Sequence, residues 1–289
     1  MKEEIGMGKV ILITGCSTGI GRHLAQSLSQ AGETVIATAR NVESMADLDA
    51  ALKLSLDVTQ PESVQKAMDA SIRHFGRIDV LVNNAGYAQI GAIEELTDEQ
   101  IRQMYEVNVF GMLRVVRAVA PQMRKQDAGR IINISSIAGR MATPVNGAYS
   151  STKFALEALS DALRWELAAF NIQVVLIEPG AIKTNFDQTV HMYGDSITTN
   201  PKSPYLAFYR KHQQVSDGMR RNEPGPGLVY AVVQQALKAT NPKPRYLAGV
   251  DLPGKIVMSL RDLLWDRVVQ SMFIPDEGEI LCEQNPSRA

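Results

Sequence analysis

Val10-Ile11-Leu12-Ile13-Thr14-Gly15-Cys16-Ser17-Thr18-Gly19-Ile20-Gly21 begins with four apolar residues and passes into threonine and glycine. A run that short, apolar on both faces, reads as a strand of a covered parallel sheet. Residues Arg22 to Ala31 follow with helical spacing, so the glycines lie in a strand-to-helix turn. They fall as G-x-x-x-G-x-G. Such a turn lets backbone approach a pyrophosphate, and the helix N-terminus adds unpaired N–H groups and a positive dipole. Gly15, Ser17, Thr18, Gly19, Ile20 and Gly21 are therefore candidate nucleotide-binding residues. No Gly-Lys-Ser/Thr follows, so this is not a Walker loop, and the spacing is not the strict G-x-G-x-x-G fingerprint.

The same alternation continues outward. Strand-length runs recur at Thr34 to Ala39, Leu52 to Leu56, Ile78 to Val82, Arg130 to Ile134, Ile172 to Ile177 and Arg245 to Ala248. Helix-length segments lie between them at Pro61 to Phe75, Asp98 to Met123, Tyr149 to Phe170 and Gly227 to Ala239. Thr59-Gln60-Pro61-Glu62 reads as a cap with proline at the first helical position. Thr97 and Gln100 read as a capping box, and Gly32 and Gly76 as helix ends. The fold class is α/β: a Rossmann-like, doubly wound parallel sheet of about seven strands, with ligands at the carboxyl ends of the strands.

The second strand ends in Thr38-Ala39-Arg40. A site for an unphosphorylated ribose carries an acid there. Here a guanidinium stands instead, suited to a 2′-phosphate, with Ser17 a candidate second donor. This favours NADP(H) over NAD(H). Asp57-Val58, after the third strand, falls near the expected adenine.

Tyr149-Ser150-Ser151-Thr152-Lys153 places a phenol and an ammonium at i and i+4, on one helix face. The positive charge is expected to stabilise phenolate and lower the tyrosine pKa, fitting it to exchange protons.

Together these pieces resemble the classical short-chain dehydrogenase/reductase family, and more loosely its hydroxysteroid and retinol dehydrogenase-like branch. The matching residues are Thr14-Gly15-x-x-x-Gly19-x-Gly21, Asn83-Asn84-Ala85-Gly86, Asn108, Ser135-Ser136, Tyr149-x-x-x-Lys153 and Pro179-Gly180. The resemblance covers roughly residues 8 to 184. It implies that Tyr149 is the general acid in ketone reduction and the base in alcohol oxidation. Lys153 would tune it and bond the nicotinamide ribose, so both also touch the cofactor. Ser136, at the family's usual interval before the tyrosine, would hold the carbonyl oxygen, with Ser135 the competing choice. Asn108 would anchor a water leading from Lys153. Asn83, Asn84, Ala85 and Gly86 would support cofactor and strands, and Pro179, Gly180, Ile182 and Thr184 would border the nicotinamide. A homodimer or homotetramer is implied as well.

The chain has 289 residues, 45% of them hydrophobic and 21% charged, which reads as globular. Thirty Lys and Arg against 31 Asp and Glu leave a formal net charge of −1, with no basic field for nucleic acid. Two distant cysteines, Cys16 and Cys282, form no metal spacing or disulfide framework, so a cytoplasmic, reducing compartment is expected. No stretch approaches the ~18 apolar residues of a spanning helix. His23, His74, His191 and His212 show no ligand spacing, and no metal site is expected. Glu94-Glu95 read as a helix start and solvated face.

Residues 1–289 read as one domain. Residues 8–184 form the cofactor-binding and catalytic core, 227–250 its last helix and strand, and 251–289 a C-terminal helix and tail. The stretch 185–226, with His191, Met192, Tyr193, Tyr205, Phe208 and Tyr209, is too long for an ordinary connection and reads as a substrate lid. Its aromatics suit an apolar carbonyl or alcohol substrate, such as a steroid, retinoid or lipid. The segment Leu252 to Phe273 has an apolar face around Ile256, Leu260, Leu263, Leu264 and Val268. It reads as a helix packed on the body, with a peripheral membrane contact as the other reading. The reaction expected is interconversion of a ketone or aldehyde with an alcohol. A nucleotide-sensing or scaffold protein on the same fold is the alternative; it would lack Tyr149, Lys153 or Ser136, and all three are present.

Overall fold

The computed structural model describes residues 8–184, 197–220 and 224–276. Seven parallel strands form one sheet in the order β3-β2-β1-β4-β5-β6-β7. They are β1 (Val10–Ile13), β2 (Thr34–Ala39), β3 (Leu52–Ser55), β4 (Val80–Asn83), β5 (Gly129–Ile134), β6 (Ile172–Pro179) and β7 (Arg245–Ala248). Every strand run expected from the sequence is present, with ends displaced by one or two residues.

Strand alternation assigns the helices to two faces. Ile11 and Ile13 of β1 pack with Leu24 and Leu28 of α1 (Gly19–Gln30) and with Val229 and Val233 of α7 (Gly227–Lys238). Val10 and Leu12 point the other way. They join Met68 of α2 (Pro61–Phe75), Val115 of α4 (Met112–Gln126) and Leu156 of α5 (Gly147–Ala168). Both faces of the sheet are thus covered, which is why its strands carry unbroken apolar runs. Strand order reverses between β1 and β4. That topological switch point opens a crevice at the carboxyl ends of those two strands.

Several expectations are corrected. The first helix begins at Gly19, so Gly21 lies inside its first turn. Thr59 does not cap α2: the N-cap is Gln60, with no side-chain bond, and Thr59 Oγ1 donates to Asp57 Oδ1 at 2.8 Å. The expected helix Asp98 to Met123 is α3 (Asp98–Tyr105), a π-helical turn at Glu106–Gly111, and α4. The Thr97–Gln100 capping box is present, and Gly76 ends α2 in the left-handed region.

The segment after β7 is two helices, α8 (Leu252–Ser259) and α9 (Arg261–Phe273), separated at Leu260. They rest on the body through the buried Met258 and Phe273, and Trp265 Nε1 donates to the Ala142 carbonyl at 3.0 Å. Ile256, Leu260 and Leu263, expected to face inward, are exposed. No helix among the described residues is long and apolar enough to cross a membrane. Between residues 185 and 226 the described part holds α6 (Leu206–Arg220). His191, Met192, Tyr193 and Cys282 lie outside the described residues.

Candidate active site

The crevice is built from backbone that cannot carry side chains. Gly15 has φ +75°, and a Cβ there would lie 3.0 Å from Ala85 Cα. A Cβ on Gly21 would stand 2.3 Å from Asn84 Nδ2 and 2.4 Å from the Gly15 carbonyl. Asn84 closes this cradle: its Nδ2 donates to the carbonyls of Thr14 and Gly15 at 2.9 and 3.1 Å. Thr14 Oγ1 accepts the amides of Asn84 and Ala85, both at 3.0 Å. Thr18 is the N-cap of α1 and makes no side-chain capping bond, so the amides of the first turn point into the crevice without that competitor. Thr184 reaches over the cradle, with its Cβ 3.6 Å from where a Cβ on Gly19 would sit.

Cys16, inside the turn, is fully buried. Burial pushes its thiol up to about 12, so it is a packing residue rather than a nucleophile. Ser17 is half-buried, and Thr18 and Arg40 are exposed at the mouth. Asp57 Oδ1 accepts the amide and hydroxyl of Thr59, two residues before α2. Val58 is buried against the π-helical turn, where a Cβ on Gly111 would meet its Cγ2 at 2.7 Å. Gly180 donates its amide to Ala248 at 2.8 Å at the end of β6, with Pro179 before it and Ile182 beyond.

Tyr149 and Lys153 lie one turn apart on α5, both buried, with Lys153 Nζ 5.8 Å from the Tyr149 ring centroid. Nζ donates to the Ile134 carbonyl at 2.9 Å, which ties the lysine to the end of β5. Ser136 follows that strand and caps a short 3₁₀ turn, its Oγ accepting the Ala138 amide at 3.1 Å. The structure separates the two serines. Ser136 hydrogen-bonds toward Tyr149, whereas Ser135 is buried on the other side, near Glu157. The expected lowering of the tyrosine pKa is not found. Burial pushes the Tyr149 phenol well above its ordinary value, and the Ser136 bond only partly offsets this. Lys153 is itself pushed down to about 8 by burial, opposed by Glu157.

Asn108 sits in the π-helical turn. Its Nδ2 donates to the Tyr87 carbonyl at 2.9 Å and to Thr152 Oγ1 at 3.0 Å, and its Oδ1 accepts the Tyr87 amide at 3.0 Å. It therefore locks the loop after β4 to α5 between Tyr149 and Lys153. Asn83 ties the central strands together, donating to Asn133 Oδ1 of β5 at 2.9 Å.

The short chain dehydrogenase family profile matches residues 9–192. The chain belongs to the short-chain dehydrogenase family. This short-chain dehydrogenase is an oxidoreductase by that membership. It is 36% identical over 241 residues to the 3-ketodihydrosphingosine reductase of Bacteroides thetaiotaomicron, covering 83% of this chain and 88% of the relative. A short-chain dehydrogenase from Streptomyces avermitilis superposes with a TM-score of 0.77 at 38% identity, covering 94% of this chain and 99% of that one. The 3-ketoacyl-(acyl-carrier-protein) reductase of Brucella melitensis, solved in complex with NADH, has a TM-score of 0.68 at 26% identity. That match covers 84% of this chain and 98% of the reductase.

Sequence reasoning about this short-chain dehydrogenase missed the contacts of Glu94 and Glu95. Tyr209 of α6 donates to Glu95 Oε2 at 2.5 Å and accepts the Ala92 amide at 2.9 Å, while Tyr205 bonds Glu94. Glu94 is exposed and Glu95 half-buried, and both also tie down the start of α6. The only signal was the tyrosine pair at i and i+4. Ile197 packs against the cluster that includes Tyr87 and Tyr149 and also against the Ala92, Val145 and Tyr209 cluster that Tyr205 and Phe208 flank, so it bridges the two. Of the histidines, His23 stacks edge-on to Tyr230 and His74 on Phe75. Among the described residues no cluster of three or more His, Cys, Asp or Glu could hold a metal ion.

Proposed function

We propose that the protein is an NADP(H)-dependent carbonyl reductase, reversible as an alcohol dehydrogenase, acting on an apolar ketone or aldehyde of lipid-like size. The observation that carries this reading is the meeting of Tyr149, Ser136 and Lys153 beside a cradle that a single Cβ would fill. The cradle fits a dinucleotide: glycines 15, 19 and 21 let the chain approach a pyrophosphate, and the amides opening α1 would receive it. Ser17, Thr18 and Ile20 complete the turn. Arg40 would pair a 2′-phosphate, with Asp57 and Val58 toward the adenine. Asn84, Ala85, Gly86, Lys153, Pro179, Gly180, Ile182 and Thr184 would line the nicotinamide end. A nicotinamide nucleotide, when bound there, supplies the hydride.

The chain's own residues handle the proton. Tyr149 gives its phenolic proton to the substrate oxygen. An alkoxide is far more basic than a phenolate, so a tyrosine kept protonated by burial still donates downhill. Ser136 Oγ already accepts the Ala138 amide, which leaves its O–H to support the oxygen or the phenolate as charge develops. The Lys153 ammonium stabilises that phenolate, and Asn108 fixes the backbone on which both stand.

Residues 185–226 act as the lid. The Tyr205, Phe208 and Tyr209 cluster and the named activity of the 36% identical relative both favour a long-chain ketone. The homodimer or homotetramer, and a cytoplasmic setting, belong to the same reading. A panel of ketones, aldehydes and alcohols assayed with NADPH and NADH tests it. Turnover is expected on apolar ketones with NADPH. NADPH binding with no turnover on any member would favour the nucleotide-sensing or scaffold alternative.

A further inference from the structure

The face of α5 that carries Tyr149 and Lys153 continues through Glu157 and Asp161, each one turn further on. Glu157 is 6% exposed, and Glu178 of β6 is 1% exposed. Carboxylates so deep require cations. Arg245, the first residue of β7, supplies one to both: its Nε lies 2.9 Å from Glu157 Oε2 and 3.3 Å from Glu178 Oε1. Its Nη2 pairs with Asp161 Oδ2 at 2.7 Å. Arg140, after the 3₁₀ turn, reaches Glu178 Oε1 at 3.3 Å.

The groups facing Glu157 are therefore Lys153 and Asp161 from its own helix, Glu178 from β6, Arg245 from β7, and the Ser135 hydroxyl from the end of β5. Gly139 closes the crevice between them, since a Cβ there would sit 3.0 Å from both Glu157 Cγ and Ser135 Oγ. One carboxylate oxygen, Glu157 Oε2, is held by Arg245; the other, Oε1, is buried, and the Ser135 hydroxyl faces the carboxylate. A strut joining α5 to β6 and β7 needs the Arg245 pairing only. Burial also leaves the carboxylate charge poorly screened by water one helical turn behind the active-site lysine.

We propose that Glu157 is a positioning residue for the acid/base chemistry, the fixed counter-charge that holds Lys153 as an ammonium while Arg245 fixes the carboxylate in place. The inference rests on the roles given above to Tyr149 and Lys153. Burial works against the lysine charge, and the Glu157 carboxylate opposes that loss. Burial and the nearby Glu178 push the Glu157 carboxyl up, while the Ser135 hydroxyl and Arg245 pull it back toward the ionised form. Removing the carboxylate charge should therefore make Lys153 lose its proton at lower pH, and the reductase should fail earlier on the alkaline side.

The full chain is compared with its Glu157→Gln and Glu178→Gln variants. Lys153 is titrated by carbon-13 NMR of ε-labelled lysine, its resonance assigned by loss in Lys153→Met. The pH profile of kcat/KM for ketone reduction is recorded in parallel. In Glu157→Gln the Lys153 titration and the alkaline limb are expected to move down together by about one pH unit, close to tenfold less activity above the limb. Glu178→Gln removes a like charge that opposes ionisation of Glu157, so it should not move either one down. An unmoved Lys153 titration with a lowered melting temperature would leave Glu157 a strut and overturn the proposal. Should Glu157→Gln fail to fold, Glu157→Met, which also removes the charge, decides, and a Lys153 titration at or above the wild-type pH overturns it. The NMR readout does not need turnover: a shifted lysine in a protein that reduces no carbonyl keeps the coupling and removes the reductase reading.

Discussion

Gly21 and Arg40 are the single residues on which the proposed nucleotide site can be tested. A methyl at Gly21 meets Asn84 Nδ2 and the Gly15 carbonyl inside 2.5 Å, and the carbonyl is backbone that cannot swing aside. Gly21→Ala should cost about 1–3 kcal/mol of stability, as overpacking does, and weaken dinucleotide binding. Thermal denaturation with a nucleotide titration checks this; wild-type stability and affinity in the variant would mean the cradle has slack. Arg40→Asp should turn the preference from NADPH toward NADH by placing like charge at the 2′-phosphate. An unchanged preference in competition assays would remove Arg40 from cofactor selection. The glycine cradle was legible in the sequence because residue type alone carries it: glycine stands where backbone must approach backbone. The protonation behaviour of Tyr149 was not. Its pKa depends on burial, and burial comes from residues far along the chain.

At the scale of elements, the π-helical turn Glu106–Gly111 and helix α6 decide how the site is held. The π turn inserts Asn108 between the loop after β4 and α5. Apolar spacing did not reveal it, because the pattern on either side stays helical and apolar residues continue through the single wider turn. The anchoring of α6 was equally hidden, since Glu95 and Tyr209 are 114 residues apart. Tyr209→Phe removes one hydroxyl and leaves the buried Ala92 amide and the Glu95 carboxylate without it. A loss of about 1–3 kcal/mol is expected. If α6 belongs to the lid, the substrate KM should also rise several-fold with a smaller change in kcat. Steady-state kinetics beside urea denaturation checks both, and an unchanged KM with lowered stability would make α6 scaffold rather than lid.

For the whole molecule, the alternation of apolar runs and amphipathic segments was enough to place seven strands, because a sheet covered on both faces leaves every strand apolar. The break at Leu260 and the outward Ile256 and Leu263 were not legible, since the apolar face of a helix does not say which neighbour it meets. Holding Lys153 inside this body has a global consequence. Its folded pKa, about 8, lies below its ordinary 10.5, so between those values the unfolded chain binds the extra proton and stability rises with pH. Relative to Lys153→Met, the wild type should gain roughly 2–3 kcal/mol from pH 7 toward pH 10.5; Tyr149, whose phenol is pushed up, begins to act oppositely above its ordinary 10.0. Urea denaturation of both proteins across that range measures the difference, and a flat difference would mean that the lysine titrates as if exposed. The proposed chemistry rests on one phenolic oxygen, so the most direct measurement is ketone reduction by Tyr149→Phe beside its NADPH affinity. Turnover is expected to fall by about 10²-fold or more, the contribution of a positioned general acid, with NADPH affinity within about threefold of wild type; retained turnover in a folded, NADPH-binding variant would contradict the mechanism.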